Sequence, residues 1–544
     1  MNTPKSISDR LNQNSVYRLV LIIIVLIFTS STIIFSEKTN MIDYDNACHF
    51  YYARFINQGE IPYRDFSLFK TPLYFYVVSF VFAICGEGFN QVLGLNILIG
   101  VITILGIDQL GQKIKNRFVG ILAATFYALS YYTVWMHTAG KTETLFNLLL
   151  VFAILTLIKA KFQKKSSIFV SAFLLSLAFF DLPRASIPVL LGVVLTMFFT
   201  SGSRKTALYF SLFLAIITVL NAPFLLIAPD KFILNVIVFN TKRGFQNTQG
   251  TVESVIWLLK NGSLALFMLG SLGLLFPFLD SLKRIPNYLQ RFSPGIKKEY
   301  TILLLSIFTQ FWLFFSLPNF AFSYMCYPVW PLLALGSSIV ISTISSQIKN
   351  SSINCKKKDS LKNITILVTI FIVILPMIYD VASTAYNADL EIEWWQNRSS
   401  SIGEILVFMD EQTEKYDSVL CFTPSISVLI HRETVLPKNP SKNPDLINYF
   451  PFNALILTAE KITQPSNPVN LIFLEADLRE IQIQTQAEAF TAMLNQTKIL
   501  ILEESVLLEH IPEYNQTLGK IIDEKCELLK TFSPDDWISI YRVL

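Results

Sequence analysis

The sequence predicts a polytopic α-helical membrane protein with a smaller α/β domain at its C-terminus. This prediction rests on the overall apolarity of the chain, the length of its apolar blocks and a change in composition near residue 380. The chain has 544 residues, of which 52% are hydrophobic, and its mean hydropathy is +0.48. A soluble domain cannot hide so much apolar surface. We therefore expect a transmembrane domain over residues 1–380 and a separate domain over residues 381–544.

The apolar blocks are long enough to cross the hydrocarbon core of a membrane, which is about 30 Å thick. The first block, Val16 to Phe35, follows Lys5 and Arg10 at the N-terminus. It is long for the apolar part of a signal peptide and has no clear small-residue cleavage site, so we interpret it as a retained signal anchor. With it, the sequence predicts about eleven transmembrane helices. The other blocks are residues 92–110, 118–136, 144–158, 168–182, 186–200, 206–228, 262–281, 301–317, 327–346 and 364–380.

Lysine and arginine residues set the orientation of these helices. They cluster on alternate connections, and the positive-inside rule places those connections in the cytoplasm together with the N-terminus. The other connections lie outside, and because the number of spans is odd, so does the C-terminal domain. The cytoplasmic clusters are Lys113–Arg117, Lys159–Lys165, Arg204–Lys205, Lys283–Lys298 and Lys349–Lys362. The external connections are residues 37–90, 137–143, 182–186, 229–261 and 318–326.

One apolar block does not fit this scheme as a simple span. The block from Thr71 to Cys85 contains 15 residues, and counting it as a span would reverse the orientation of every later loop. We interpret it as a re-entrant or interfacial helix, as shorter apolar stretches often are. An ordinary short span is the alternative.

The first external connection is the richest in groups that can do chemistry. Asp43 and Asp45 lie just past the first predicted span, and Asp45 or Asn46 is placed to cap the helix that follows. Apolar residues recur on one face of that helix up to Phe55, and Gly59 ends it. We expect an amphipathic helix on the outer leaflet with a carboxylate pair at its start. The alternative is that these acids are only helix caps at a membrane surface.

Two cations follow these aspartates. Arg64 lies after the predicted helix, and Lys70 opens the short apolar block. Cations at the outer membrane surface, beside a lipid-facing helix, are what a lipid-linked phosphate needs. A carboxylate base, a cation for a departing phosphate and a cleft at membrane level form a coherent set.

The same connection carries a recognisable arrangement: Asp43–Asp45, Ala53–Arg54, Gly59, Pro62–Phe66 and Phe69–Tyr74. It resembles the first external loop of the GT-C superfamily of membrane glycosyltransferases. More narrowly, it is similar to the polyprenyl-phosphate-dependent enzymes of the protein O-mannosyltransferase and aminoarabinose-transferase kind. That family usually has an acidic pair where Asp45 and Asn46 stand, so the second acid is missing here. Either Asp45 or Asp43 is then the acting carboxylate.

The resemblance implies a GT-C-like fold and the transfer of one sugar, a hexose or a pentose, with inversion. The donor is a sugar on a polyprenyl monophosphate, and the acceptor is a hydroxyl or amine on a lipid, glycan or protein. An aspartate takes the proton of the acceptor, because a free carboxylate with a pKa of about 4 is ionised at neutral pH. Fixed cations stabilise the charge that develops on the departing phosphate. Lys70 is the first candidate for that role, followed by Arg64 and Arg184.

Other external connections supply candidates for the walls of the same cavity. By the resemblance, Glu143 contacts the sugar or orients a base; alternatively, it is an acid favoured at a helix start by the helix dipole. Arg184 follows Asp181 closely, and the alternative to a functional role is a mutual ion pair. Arg243 lies in a polar loop that either grips a substrate or is merely solvated. Tyr324 can donate to a phosphate, although we favour a place in an interfacial aromatic belt.

The segment after residue 380 is charged and carries short β-rich runs between helix-like stretches. Strands that alternate with helices predict a small α/β layer structure. It has no phosphate-binding glycine loop, so we interpret it as a structural or acceptor-docking lid. The predicted strands are Ser418–Phe422, Leu471–Leu474, Ile499–Leu502 and Trp537–Val543, and the predicted helices are Ile402–Glu414 and Asp477–Asn495.

The main alternative function is a transporter or flippase of a lipid-linked saccharide. A transporter usually has duplicated halves and ionisable groups at the bilayer midplane, whereas the acids here gather at one surface. The net charge of +4 is spread over the cytoplasmic loops and predicts no nucleic-acid partner. The expected partners are the lipid-linked donor, its acceptor and membrane lipids, in a bacterial inner membrane. No cofactor follows from the sequence; a divalent metal stays open, because some members of the resembled family need one and others do not.

Overall fold

The computed structural model describes most of the N-terminal half of the chain and parts of the rest. Side chains at Tyr44–Cys48, Tyr51 and Arg184 are outside this description. The described residues are 14–39, 44–66, 68, 70–238, 266, 269–274, 327–350, 408, 418–421, 433–434, 491, 499–503, 512–532 and 538–544.

Helices make up nearly all of the described chain before residue 350. Helix α11 is short and continues directly into a π-helical segment, Ile233–Val238. The helices are α1 (Asn14–Thr39), α2 (Tyr44–Asn57), α3 (Leu73–Cys85), α4 (Phe89–Ile114), α5 (Arg117–Ala128), α6 (Tyr131–Thr138), α7 (Glu143–Lys159), α8 (Lys165–Asp181), α9 (Pro183–Ser201), α10 (Ser203–Ile227), α11 (Pro229–Phe232) and α12 (Trp330–Asn350).

Among the described residues, four helices are long and apolar enough to cross a membrane, and a bent pair of helices makes a fifth crossing if it counts as one. The predicted spans 262–281, 301–317 and 364–380 lie wholly or largely outside the described residues. The count of about eleven spans therefore stays a prediction. The four candidate spans are Asn14–Ser36, Phe89–Ile114, Ser203–Ile227 and Tyr327–Ile344.

The predicted span 118–136 is not one straight helix. The structure breaks it between α5 and α6, whose axes differ by 57°. Ser130 lies at the break with an extended backbone conformation, and its side chain accepts a hydrogen bond from the indole N–H of Trp330. Both helices are apolar on average and no proline separates them, so composition alone does not reveal the break.

The described chain divides into two compact units. The first contains α1, most of α4, α5 to α9, most of α10, and α12. The second contains α2, α3, the end of α10 with the π-helical segment, and the C-terminal sheet. Their bounds are Met1–Lys38, Asn90–Pro223 and Gly244–Tyr386 for the first unit, and Thr39–Phe89, Phe224–Arg243 and Asn387–Leu544 for the second.

Helices of the first unit pack closely where glycine removes the side chain. A Cβ atom added to Gly111 on α4 would lie 2.7 Å from the Cα atom of Gly120 on α5. Such contact requires glycine at both positions, as in small-residue crossings of membrane helices. Conversely, α1 exposes large apolar side chains such as Leu19 and Leu26, which suits contact with lipid.

A buried acid lies inside helix α4. Asp108 accepts hydrogen bonds from the Tyr17 hydroxyl and from Gln112 Nε2, and the second of these is 2.7 Å long. The guanidinium of Arg117 lies 5.4 Å from the centre of the Tyr17 ring. An acid in an apolar span is costly unless it is paired, and these contacts supply the pairing that joins α1 to α4.

The C-terminal strands form one mixed sheet in the order β2-β1-β3-β5-β4. Strand β1 is parallel to β2 and β3, whereas β5 is antiparallel to β3 and β4. The predicted strands near residues 418, 499 and 538 are present, and the predicted run Leu471–Leu474 lies outside the described residues. The elements are β1 (Ser418–Cys421), β2 (Glu433–Thr434), β3 (Ile499–Glu503), α13 (Pro512–Lys525), β4 (Cys526–Phe532) and β5 (Ile538–Val543).

Candidate functional site

The candidate site lies in the segment that joins α2 to α3. Helix α2 spans Tyr44–Asn57, so Asp45 lies in its first turn, and Asp43 is outside the described residues. The helix ends at Asn57, and Gly59 follows with a φ of +90°, a conformation that glycine adopts without strain. The predicted helix and its glycine stop are therefore confirmed.

A tight turn follows, held by one carboxylate. The backbone N–H of Ile61 donates to Asp65 Oδ2 at 2.7 Å, and Arg64 forms a two-pronged contact with the same carboxylate at 2.8 and 2.7 Å. Arg64 is therefore paired with an acid inside the turn, on an exposed surface. This arrangement explains part of the predicted Pro62–Phe66 stretch as a structural turn.

The charge state of Asp65 follows from these contacts. Partial burial raises the pKa of its carboxyl. Hydrogen bonds from Arg64 and the Ile61 amide, and the charges of Arg64 and Lys231, lower this pKa by more, so that it lies below its ordinary value. The carboxylate is thus ionised at neutral pH and holds the turn closed. The same contacts raise the pKa of Arg64.

Tyr63 lies at the centre of this turn in an unusual backbone conformation. Its φ is +67°, which costs a residue with a Cβ atom about 1–2 kcal/mol. The ring is buried and packs edge-on against Phe224 and Phe232 at centroid distances of 5.4 and 5.0 Å. Its hydroxyl donates to the backbone carbonyl of Lys70 at 2.8 Å. Packing and this hydrogen bond thus hold a strained residue in place.

Lys70, the predicted phosphate-binding cation, lies just before α3 with its side chain partly buried. Its Nζ is 3.2 Å from His49 Nε2 on α2. A lysine ammonium has only donors, so it donates and His49 accepts. The His49 ring is buried between Tyr74 and Phe75, with centroids 5.8 and 5.2 Å away.

Helices α2 and α3 pack as a pair around this lysine. The ring centres of Phe50 on α2 and Phe82 on α3 are 5.0 Å apart. Beyond the end of α3, Glu87 Oε2 lies 3.2 Å from Arg54 Nε of α2. Helix α3 has 13 residues, which is shorter than a full span, as the interpretation of Thr71–Cys85 requires. The pair thus presents Lys70 at the start of a short apolar helix.

Glu143 belongs to the first unit and opens helix α7. It is buried, and its Oε2 accepts a hydrogen bond from Thr142 Oγ1 at 3.2 Å. Lys141, two residues earlier, is also buried, with its Nζ 5.7 Å from the centre of the Trp135 ring. A buried acid at a helix start is favoured by the helix dipole, as the alternative interpretation of Glu143 holds. The predicted contact of Glu143 with the sugar stays a proposal.

A buried polar network lies beside this helix start. His137 Nδ1 donates to the carbonyl oxygen of Asn96 at 2.8 Å, and Nε2 is 3.5 Å from the Tyr127 hydroxyl. The hydroxyls of Tyr127 and Tyr327 are 2.6 Å apart, and Asn147 Nδ2 donates to the Tyr327 carbonyl at 3.1 Å. This network has no clear signal in the sequence, because its members are spread over α4 to α7 and Tyr327.

The remaining predicted site residues are not described in detail. Arg184 lies in the first turn of α9, but its side chain is outside the description. Arg243 and Tyr324 are outside the described residues altogether. Within the described ranges, no group of three His, Cys, Asp or Glu side chains is arranged to hold a metal ion. No step proposed below uses a metal.

His49 and Tyr63 are contacts of Lys70 that the sequence did not reveal. His49 looks like one of several polar residues of an amphipathic helix, and its partner is 21 residues away in the chain. A positive φ at a tyrosine has no sequence signal, unlike one at glycine or asparagine.

Comparison with known proteins confirms the resemblance to GT-C membrane glycosyltransferases. The family model described as dolichyl-phosphate-mannose-protein mannosyltransferase matches residues 69–227. A search of curated protein sequences gives no match. The family match begins next to Lys70 and runs through α10, so it covers the helices that follow the candidate site.

Solved structures show the same fold over nearly the whole chain. ArnT from Cupriavidus metallidurans, bound to undecaprenyl phosphate, is 11% identical with a TM-score of 0.58, covering 97% of this chain and 98% of that one. The apo oligosaccharyltransferase from Archaeoglobus fulgidus is 12% identical with a TM-score of 0.55, covering 90% and 70%. The archaeal AglB from the same organism, with an inhibitory peptide and a dolichol-phosphate, is 12% identical with a TM-score of 0.54, covering 96% and 74%. These similarities show that the chain has the GT-C membrane fold and is an integral membrane protein.

Proposed function

We propose that this chain, which has the GT-C fold, is a membrane glycosyltransferase that uses a polyprenyl-phosphate-linked sugar as donor. The observation that carries the proposal is Lys70, which is held at the start of the apolar helix α3 and next to the helix that carries Asp45. The solved relatives include one bound to undecaprenyl phosphate and one bound to a dolichol-phosphate. A fixed cation at the start of a short apolar helix suits the phosphate of such a lipid.

The proposed reaction moves one sugar to a hydroxyl or amine of a lipid, glycan or protein. The acceptor attacks the anomeric carbon as Asp45, or Asp43 in its place, removes the acceptor proton. The bond from that carbon to the phosphate oxygen breaks, and the configuration inverts. General-base catalysis of this kind typically contributes about 10²–10⁴-fold. The departing lipid phosphate gains one negative charge, which Lys70 stabilises through N–H donation.

The other predicted residues have secondary places in this proposal. Arg64 ranks below Lys70 because it is already paired with Asp65. Arg184 and Arg243 are further candidates for binding the phosphate or the acceptor. Tyr324 is a candidate for donating a hydrogen bond to the phosphate. Glu143 is a candidate for contacting the sugar or for orienting the base. The C-terminal α/β domain, residues 381–544, is proposed as a lid over the acceptor.

The proposal is tested by analysing envelope lipids and glycans by mass spectrometry in cells that lack the protein. We expect one sugar modification to be lost, and wild-type protein to restore it. Asp45→Asn leaves a neutral side chain of nearly the same size, so it should insert normally and reduce the modification by at least about 10²-fold.

Two results would contradict parts of this proposal. Full restoration by Asp45→Asn but not by Asp43→Asn would transfer the role of base to Asp43. Full restoration by both variants would reject the enzyme and favour a flippase, in which the aspartates need not react. Immunodetection of each variant in the membrane fraction is the control.

Orientation is tested with a reporter fused after Leu544. We propose that the candidate site and the C-terminal domain are extracytoplasmic, since the basic clusters occupy alternate connections. An enzyme that is active only outside the cytoplasm, such as alkaline phosphatase, should be active in this fusion. A cytoplasmic signal from a fluorescent reporter at the same position would refute the proposed orientation.

A further inference from the structure

We propose that His49 and Tyr63 are positioning residues that hold Lys70 at its two ends, ready for the phosphate of a polyprenyl phosphate. This inference rests on the proposed function and adds to it two residues that bind neither lipid nor sugar. His49 fixes the ammonium group, and Tyr63 fixes the backbone from which the side chain extends. The two act from different elements, helix α2 and the turn before Lys70.

The contact of His49 with Lys70 is specific in its chemistry. The 3.2 Å separation of Lys70 Nζ and His49 Nε2 is a hydrogen-bond distance, and it uses one of three ammonium donors. Two donors remain for a phosphate. Because His49 is a neutral acceptor in this contact, it does not compete with an anion through charge, as a carboxylate partner would. A histidine therefore orients the lysine and leaves its charge available.

Packing alone does not require a histidine at this position. The ring lies among Tyr74 and Phe75, and the nearby Phe50 stacks on Phe89 at 4.8 Å. A phenylalanine would fill the same aromatic environment without burying a polar nitrogen, which costs free energy unless it is hydrogen-bonded. The nitrogen that faces Lys70 is the feature that only histidine supplies.

Tyr63 secures the other end of the lysine. Its buried hydroxyl donates to the Lys70 carbonyl at 2.8 Å, and the ring is anchored by Phe224 and Phe232. A left-handed conformation at a tyrosine is rare, and strained residues of this kind concentrate at functional sites. Here the strain accompanies a contact that sets the backbone position of the candidate cation.

Helix α2 links this arrangement to the proposed base. Asp45 lies four residues before His49 in the same helix, which is about one helical turn. A helix is rigid over one turn. The contact with His49 therefore sets the position of the Lys70 ammonium relative to the start of α2, where Asp45 lies. Loss of the His49 contact should alter lipid binding more than it alters the helix.

The test measures binding of undecaprenyl phosphate to the purified full-length protein in detergent. Lys70→Met should weaken binding at least tenfold, and His49→Phe by about tenfold, the size of one hydrogen bond to a charged group. His49→Gln supplies a side-chain oxygen acceptor and should stay within about threefold of the wild type. Tyr63→Phe should weaken binding by about threefold to tenfold.

A double variant separates positioning from general damage. Because the two contacts act through Lys70, His49→Phe and Tyr63→Phe should have no further effect in the Lys70→Met background. Tyr209→Phe is the matched control: it removes a buried hydroxyl 3.4 Å from Ser171 Oγ in the other unit and should bind lipid like the wild type. The melting temperature of each variant is measured alongside.

Each outcome decides the inference. Wild-type binding by Lys70→Met would reject the phosphate site of the proposed function itself. Weak binding by Lys70→Met with normal binding by His49→Phe and Tyr63→Phe would reject only the positioning role. Equal loss in His49→Phe and His49→Gln, or additive loss in the double variants, would also reject it. If His49→Phe does not fold, Tyr63→Phe is compared with and without Lys70→Met instead. An effect of Tyr63→Phe that disappears in the Lys70→Met background supports the positioning role, and an effect that persists there rejects it.

Discussion

His49 and His137 are two of the four histidines in the chain, and their surroundings differ in an instructive way. Both rings are buried, and each meets an aromatic ring edge-on, Tyr74 for His49 and Phe28 for His137. His49 accepts from a lysine ammonium in the segment that joins α2 to α3. His137 donates to a backbone carbonyl and lies near a tyrosine hydroxyl in the polar network of the first unit.

This difference shows that the partner of a buried histidine, not its burial, indicates its role. In the polar network every partner is neutral, so the expected contribution of His137 is to stability and uniqueness of packing. In the α2–α3 segment the partner is a cation at a proposed anion site. The first histidine is therefore expected to affect binding, and the second to affect folding.

Of the two stability variants, His137→Leu and Asp65→Asn, we expect the larger loss of stability for His137→Leu. This change removes the donor to the Asn96 carbonyl and leaves the Tyr127 hydroxyl with one neighbour fewer, which should lower stability by about 1–3 kcal/mol. The thermal midpoint in detergent should fall clearly. Affinity for undecaprenyl phosphate, measured below that midpoint, should not change.

The comparison fails if His137→Leu leaves the thermal midpoint unchanged and weakens lipid binding. In that case the polar network would belong to the binding site. Ser171→Ala is the matched control within the first unit, because its hydroxyl makes only a long contact of 3.4 Å with Tyr209.

The smallest effect is expected for Asp65→Asn. The folded-state pKa of Asp65 is lowered, so its stabilising contribution is present above the unfolded pKa of about 4 and is lost as the pH falls through the folded pKa. At pH 7 the variant should be less stable than the wild type by a few tenths of a kcal/mol, because the pair with Arg64 is largely exposed. At about pH 3 the difference should shrink.

Thermal melting of both proteins at the two pH values checks this. A difference that grows on acidification would show that Asp65 is stabilised in its protonated form instead. A difference as large as that of His137→Leu would show that the turn is a main contributor to stability.

Sequence reasoning succeeded where a local pattern determines the structure. The apolar repeat of α2, the glycine at 59 and the β-branched runs of β1, β3 and β5 are local signals, and each matches an element. The phosphate-binding role of Lys70 stays a prediction. Strand β4 was missed because Cys526–Phe532 mixes charged and apolar residues. Its pairing with β5 supplies the order that its own sequence does not indicate.

The missed features depend on contacts between distant parts of the chain. The break at Ser130 is accompanied by a hydrogen bond from Trp330, 200 residues later. The contact of His49 with Lys70 requires the pairing of α2 with α3, and the conformation of Tyr63 requires Phe224 and Phe232. No local propensity encodes such contacts, because they arise only when the helices pack.

The double attachment of Lys70 has an entropic consequence. A free lysine side chain loses about 1.5–2 kcal/mol of rotamer freedom when it is immobilised. Here folding has already restricted that freedom, since His49 confines the tip and Tyr63 the main chain. If Lys70 binds the lipid phosphate as proposed, the incoming lipid meets a group with little disorder left to lose, and more of the attraction between them remains as affinity.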